Sequence, residues 1–313
     1  MRPRHRGVQR TAQGALVRAP DSALADGARS VALAGLDRLD LARRRSDPLV
    51  PPRRLSRVSA GDFLAVGEEV LRQLKVLGGL SADADVLDVG SGSGRVAIPL
   101  TSYLDGGSYA GFDVGADVIA WCQQAITPRF PAFRFTTIDI ANTHYNRDGA
   151  VEPGRARFPY DDATFDFALA TSLFTHMMPS GFANYAIEIV RTMRPGGRLF
   201  ATFFLLDDEV VDRQQRGATR IDLRHELFEA GTGIGYRALS RRNPEAAVGL
   251  DEVFVTGTLA EAGLNVEAVH RGSWSGHAGT PLDQDVVIAT RQEHDRASPA
   301  SGASSQQGCR GGA

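Results

Sequence analysis

Lysine is almost missing from this chain, cysteine is scarce, and no apolar run is long. Lys75 is the sole lysine, and every other basic side chain apart from histidine is Arg. That is the bias of a GC-rich genome rather than a phosphate-binding device, because the net charge is only -2 over 313 residues. A balanced chain carries no polyanion-binding signature, so nucleic acid is not an expected partner. Cys122 and Cys309 are the only cysteines. Two cysteines make neither a disulfide framework nor a zinc cluster, and they fit a reducing cytoplasm. No stretch reaches the roughly 18 apolar residues of a membrane span, so none is expected. His225, His270 and His277 lack ligand-like spacing, and no metal site is expected.

The length allows one large core. Residues 1–46 are rich in Arg, Ala and Gly and close on Arg43-Arg44-Arg45. A transit peptide and a nucleic-acid arm are both open readings of that segment. The expectation is a disordered extension, or a start codon placed upstream of the true one. Residues 292–313 are Ser-, Gly- and Ala-rich and read as a disordered tail. The folded part is expected over 47–291. Phe63, Val66, Val70, Leu71, Leu74 and Leu77 recur at helical spacing, so a helix is predicted over 62–77, ended by Gly78-Gly79.

Strands and helices then alternate. Strands are expected at Val86–Val89, Ser108–Asp113, Phe133–Ile138, Phe165–Ala170 and Arg198–Leu205. Helices are expected at Arg95–Leu104, Ala116–Ile126 and 180–193, the last broken by Arg194-Pro195-Gly196-Gly197. After an irregular insert over 207–250 come a helix at 251–262 and strands Asn265–Val269 and Asp285–Thr290. Alternation of this kind implies an α/β fold with a Rossmann-like doubly wound sheet of about seven strands, mostly parallel. The last two strands lie too close for a crossover helix, so an antiparallel edge strand is predicted.

Asp85-Val86-Leu87-Asp88-Val89-Gly90-Ser91-Gly92-Ser93-Gly94-Arg95 is the most informative run. An apolar strand turns through three alternating glycines into a helix, the arrangement of a nucleoside-cofactor site. Arg95 stands where a dinucleotide fingerprint would have its last glycine, which argues against NAD. Asp113 ends the second strand, where an acid accepts ribose hydroxyls or caps the next helix. Asp139-Ile140 ends the third strand. There a carboxylate takes the exocyclic amine of adenine with Ile140 against the ring, or merely starts a turn. Thr171 to Met177 follow the fourth strand and face the ligand crevice. His176 in that loop is the candidate base, or a residue that fixes the loop by hydrogen bonds. His144 and Tyr145 read as a solvated loop, with the border of the substrate mouth as the other reading, Trp121 and Cys122 as core, and Met177 and Met178 as packing. The 207–250 insert emerges beside the crevice and is expected to act as an acceptor lid, with a surface subdomain as the other reading. Leu223, Leu227, Phe228, Ile234 and Tyr236 are its apolar material, and Gly231, Gly233 and Gly235 its mobile points.

Residues from about Val50 to Thr290 resemble class I S-adenosylmethionine (SAM) dependent methyltransferases of the small-molecule type. Val86 to Gly94 is similar to motif I, Gly111-Phe112-Asp113 to the acidic motif II, and Thr137-Ile138-Asp139-Ile140 to the adenine-contacting motif. Phe158 to Asp166 looks like the entry into strand four, and Arg191 to Gly197 like the end of the helix before strand five. The resemblance implies methyl transfer from SAM to a small-molecule acceptor. It implies that Asp88, Gly90, Ser91, Gly92, Gly94, Asp113, Val114, Asp139, Ile140 and Thr171 hold the cofactor. A cofactor-binding protein of the same fold without turnover, acting as scaffold or partner subunit, is the alternative.

Overall fold

The computed structural model describes residues 47–56, 60–278, 280 and 282–293. The extension expected over 1–46 and the tail beyond 293 lie outside the described residues. Helix α1, Ala60–Val76, turns Phe63, Leu71 and Leu74 inward. Gly79, at φ +68°, ends the turn that leads into the sheet.

Seven strands form that sheet. They are β1 Val86–Val89, β2 Tyr109–Asp113, β3 Phe133–Thr137, β4 Phe165–Ala170, β5 Met193–Phe203 and, later in the chain, β10 Leu264–His270 and β11 Asp285–Arg291. Their order across the sheet is β10-β11-β5-β4-β1-β2-β3. The first five run parallel, joined by crossovers carrying α2 Ala97–Tyr103, α3 Ala116–Ala125 and α4 Pro179–Thr192. The antiparallel edge is as expected: β10 pairs antiparallel with β11, which pairs antiparallel with β5. Strand order reverses between β1 and β4, and the crevice outside their carboxyl ends is where such sheets bind ligands.

Alternate residues feed two cores. Leu87, Val89, Ala168, Ala170, Leu199 and Ala201 point to the face covered by α4 and by α6, Glu252–Ala262. Val86, Phe167, Leu169 and Phe200 point to the face covered by α1, α2 and α3. Cys122 is in this second core, with Trp121 packed against it, as expected. The Pro195-Gly196-Gly197 turn does not precede the fifth strand but interrupts it. Phe165 pairs with Met193, the register slips, and pairing resumes at Phe167 and Arg198. Gly196 takes φ +77° there, which makes the segment a bulge.

The insert is not irregular. It opens with α5, Asp208–Gln215, capped by Asp207, whose side chain accepts the Val210 amide hydrogen. Strands β6 Leu205–Leu206, β7 His225–Phe228, β8 Gly235–Ala238 and β9 Val248–Asp251 make a second sheet in the order β6-β9-β8-β7. Each of these strands is four residues or fewer, too short to display a period in the sequence. Leu223 and Tyr236 are buried, whereas Phe228 is 67% exposed. One carboxylate joins the two sheets. Asp285, at the start of β11 and fully buried, accepts the Leu205 amide (2.8 Å), the Gly272 amide (2.7 Å) and the Trp274 indole N–H (2.7 Å). Burial pushes its pKa up while those three donors oppose the shift.

Candidate functional site

The carboxyl edge of β1 and β2 is built from main chain. The Gly90 and Ser91 amides both donate to the Phe112 carbonyl, at 3.0 and 2.9 Å, which folds the glycine loop onto β2. Asp113 holds the next turn: Oδ2 accepts the Gly92 amide (2.9 Å) and Oδ1 the Gly115 amide (2.8 Å). Helix α3 has Gly115 as its N-cap, without a side-chain cap, so the capping reading of Asp113 does not hold. Val114, part of the adjoining turn, packs on the core.

Two of the glycines do different work. Both have positive φ, +54° at Gly92 and +77° at Gly94. A Cβ at Gly94 would lie 2.7 Å from Ile126 Cδ1 and 3.3 Å from Cys122 Sγ, so this glycine lets α3 pack closely. Among the described residues, a Cβ at Gly92 would meet nothing within 4 Å. Gly92 therefore borders open space at the mouth of the crevice, where a ligand reaches the backbone.

Beside that opening lie polar atoms without partners among the described residues. Asp88 is 1% exposed; one carboxylate oxygen accepts the Tyr109 hydroxyl at 2.5 Å, and Oδ1 is buried with none. Ser91 Oγ is likewise buried without a partner. Burial, reinforced by the charge of Asp113, raises the Asp88 pKa to about 7 against the pull of Tyr109 and Arg95. Arg95 is half-buried and senses Asp88 electrostatically. It has no hydrogen bond or ion pair among the described residues. Its pKa is held down by burial. An orphaned carboxylate oxygen and an unpaired guanidinium side by side suit a ligand with both a cationic and an anionic group.

Past β3, Asp139 Oδ1 accepts from Asn146 Nδ2 (3.2 Å), and Asn146 Nδ2 also donates to the Ile140 carbonyl (3.0 Å). Ile140 is buried in the core. Past β4, Thr171 leads into Ser172, which takes φ +56° without being glycine. Such strain persists only where the surroundings impose it. Here the Ser172 amide donates to Thr202 Oγ1 (2.7 Å), and both hydroxyls donate to Gln284 Oε1, at 3.2 and 2.6 Å. Leu173 then packs on Gly90, and one 3-10 turn, Phe174–His176, follows. Met177 is core and Met178 packs against it, as expected.

The insert-facing side of the crevice is built from side chains. His176 Nδ1 lies 2.9 Å from the Glu245 carbonyl in the insert. A carbonyl only accepts, so Nδ1 carries a proton. The His144 ring is nearly parallel to that of His176 with centroids 6.2 Å apart, and the Tyr145 ring stands perpendicular to it at 5.4 Å. His144 is exposed in an irregular loop, as expected, and with the half-buried Tyr145 it also borders the His176 ring. Buried Glu245 accepts the Thr143 amide (2.6 Å), the Thr143 hydroxyl and Asn142 Nδ2 (3.1 Å). Asn243, also buried, contacts His144 Nδ1 at 3.1 Å. Asn142, Asn243 and Glu245 carry no motif, and sequence reasoning missed them. A second carboxylate fastens the hairpin: Glu229 accepts the Ser180 amide (2.9 Å) and hydroxyl (2.6 Å) at the N-terminus of α4. Among the described residues no three His, Cys, Asp or Glu converge as a metal set, and no helix is long and apolar enough to cross a membrane.

Residues 87–201 match the family described as "Methyltransferase domain". The chain is 30% identical over 127 residues to phthiotriol/phenolphthiotriol dimycocerosates methyltransferase 1 of Mycobacterium ulcerans, covering 41% of this chain and 40% of that protein. It is 32% identical over 112 residues to the corresponding methyltransferase of Mycobacterium tuberculosis, covering 36% of this chain and 34% of that one. The match thus spans about two fifths or less of the length of these relatives. A SAM-dependent methyltransferase structure from Methanosarcina mazei aligns over 70% of this chain and 97% of that one, at 19% identity and a TM-score of 0.45.

Proposed function

We propose that this chain, whose residues 87–201 form a class I SAM-dependent methyltransferase domain, transfers a methyl group from SAM to a small-molecule acceptor held against the 207–250 insert. The observation that carries the reading is the set of unsatisfied polar groups around the open face of Gly92: Asp88 Oδ1, Ser91 Oγ and the unpaired Arg95. They fit the charged amino-acid end of SAM, with the ammonium toward Asp88 and the carboxylate toward Arg95. Bound SAM supplies a methyl group already attached to a good leaving group.

The chain's own residues align and enclose. Asp113, held by two amides, faces the ribose hydroxyls. Asp139 and Ile140 flank the adenine. Gly90, Gly94, Val114 and Thr171 shape the walls. His176 faces the acceptor as general base, and the insert excludes water while the acceptor is aligned behind the methyl. The acceptor is a small molecule rather than nucleic acid, in keeping with a net charge of -2. The scarcity of cysteine supports a cytoplasmic setting.

Calorimetry with SAM and with NAD tests the cofactor, and incubation with isotope-labelled SAM followed by product profiling tests turnover. Micromolar SAM binding with labelled product is expected. Binding without any labelled product makes the chain a non-catalytic cofactor binder, and preference for NAD refutes the reading.

A further inference from the structure

A serine at φ +56° is strained where a glycine would not be, and Ser172 stands there, between β4 and the glycine loop. Two hydrogen-bonded paths hold it, and both end on one atom. The Ser172 hydroxyl donates to Gln284 Oε1 at 3.2 Å. The Ser172 amide donates to Thr202 Oγ1 at 2.7 Å, and that hydroxyl donates in turn to Gln284 Oε1 at 2.6 Å. Thr202 is buried in β5, and each hydrogen bond of such a chain polarises the next. Gln284 is itself planted on fixed main chain just before β11. The Ser273 and Trp274 amides donate to the Leu282 and Asp283 carbonyls, at 2.8 and 3.0 Å. A Cβ at Gly272 would lie 2.3 Å from the Gln284 carbonyl carbon, so the two backbones are in contact. On the far side of Ser172, Leu173 buttresses the first glycine of the cofactor loop: a Cβ at Gly90 would lie 3.0 Å from Leu173 Cδ1.

We infer that Gln284 is a positioning residue for cofactor binding: its carboxamide oxygen holds Ser172 in left-handed backbone and thereby seats Leu173 against Gly90. This rests on the methyltransferase reading above. Gln284 acts through Ser172 and Leu173 rather than on the cofactor itself. Without this arm Ser172 relaxes to negative φ and Leu173 leaves the glycine loop. Left-handed strain in an L-residue is a bias of about 5–30-fold against that backbone, and affinity falls with the fraction of molecules that keep the competent form. The next residue, Asp285, carries the Leu205 amide of the small sheet, so consecutive residues set the cofactor loop and the seat of the insert.

The test pairs SAM calorimetry with leucine-methyl NMR of the ligand-free full chain, the Leu173 methyls being assigned with Leu173→Val. Gln284→Leu should weaken SAM binding by about 5–30-fold and shift the Leu173 methyls before any ligand is added. Gln284→Glu keeps an acceptor oxygen for both hydroxyls and should stay within about threefold of the wild type. Adding Ser172→Gly to Gln284→Leu should regain most of the lost affinity and return the methyl shifts, because glycine takes this backbone freely. Repair by a residue that adds no contact is what a merely stabilising Gln284 would not give. Should Gln284→Leu fail to fold, the Ser172 variants carry the test. Ser172→Gly should bind SAM more tightly than Ser172→Ala, by about 3–10-fold, since only alanine keeps the strain. Wild-type affinity in Gln284→Leu, a loss that Ser172→Gly does not repair, or equal affinity in the two Ser172 variants overturns the positioning role. A wild-type protein that does not bind SAM sinks the underlying function instead. The ligand-free methyl shifts then decide alone: moved by Gln284→Leu and returned by Ser172→Gly they uphold the arm, and unmoved they overturn it.

Discussion

On the glycine-loop side of the crevice, backbone amides meet one carboxylate and one carbonyl; on the insert side, buried side chains meet each other. The first side is organised within a short span of chain, since Asp113 and Gly92 are 21 residues apart. The second is organised across 100 to 103 residues, from Thr143 and Asn142 to Asn243 and Glu245. A main-chain cradle tolerates any side chain that keeps the backbone conformation, whereas a side-chain cluster depends on each member. On the proposed function, the cofactor cradle is thus the general part of the site, and the insert side is the particular part.

Substitutions can break that contrast. His176→Gln should lower kcat by roughly 10²–10⁴-fold with the SAM dissociation constant unchanged; a loss below about tenfold in steady-state kinetics would leave His176 only a loop-fixing role. Gly94→Val should cost about 2–5 kcal/mol of stability, because left-handed backbone and overpacking against Ile126 add. Gly92→Ala should cost only the backbone share, about 1–2 kcal/mol, yet weaken SAM binding, since its methyl group enters the open approach. Denaturant melts and calorimetry on the pair separate a packing glycine from a contact glycine. Asp113→Ala should weaken SAM by about 1–3 kcal/mol, the cost of leaving buried hydroxyls without a charged acceptor.

The pH response sharpens the comparison further. Asp88 titrates near 3.8 when unfolded and at about 7 when folded. Between those values the folded protein keeps a proton that the unfolded chain has lost, so the empty protein loses stability as pH rises, by up to about 1.4 kcal/mol per unit. Above about pH 7 this contribution is flat. A cationic ligand group favours the ionised carboxylate, so SAM should bind more tightly as pH rises through 7 and should reduce the slope. Melting curves of wild type and Asp88→Asn from pH 5 to 8 should diverge in slope, and parallel curves would exclude Asp88 as the titrating group. Glu229→Ala should show the smallest effect, about 1 kcal/mol from the lost contacts at the α4 N-terminus, with SAM binding intact by calorimetry.

The same division governs what the sequence discloses. β1, β2 and β4 were legible almost to the residue, because a buried parallel strand followed by glycines or a terminal acid is a local pattern. The glycine loop and Asp113 were each legible as the ends of adjacent strands, but the hydrogen bond between Gly92 and Asp113 was not. The second sheet was not legible: His225-Glu226-Leu227-Phe228 and Gly235-Tyr236-Arg237-Ala238 are single short runs whose strand character comes from each other. Glu245 was hidden for a different reason. Nothing local distinguishes a buried carboxylate from a surface one, and its burial is decided by Thr143 and Asn142 a hundred residues earlier. His144 is exposed, as it read, and what stayed hidden is its ring contact with His176, which lies beyond another strand.

Asp285 has a consequence for any exchange of the insert between chains. Its three donors come from the first residue of the small sheet, from the Gly272 backbone and from the Trp274 indole, so the small sheet is riveted to the last strand of the large one. The segment is not a cassette. A transplant cut at 207 and 250 leaves the rivet in place but relies on the donor chain to reproduce the path of Leu205. If it does not, a fully buried acid loses a donor, at a cost of about 1–3 kcal/mol or more. Successful chimeras should therefore carry their exchange points outside this junction, taking residues 204–206, 272–274 and 285 together from one parent.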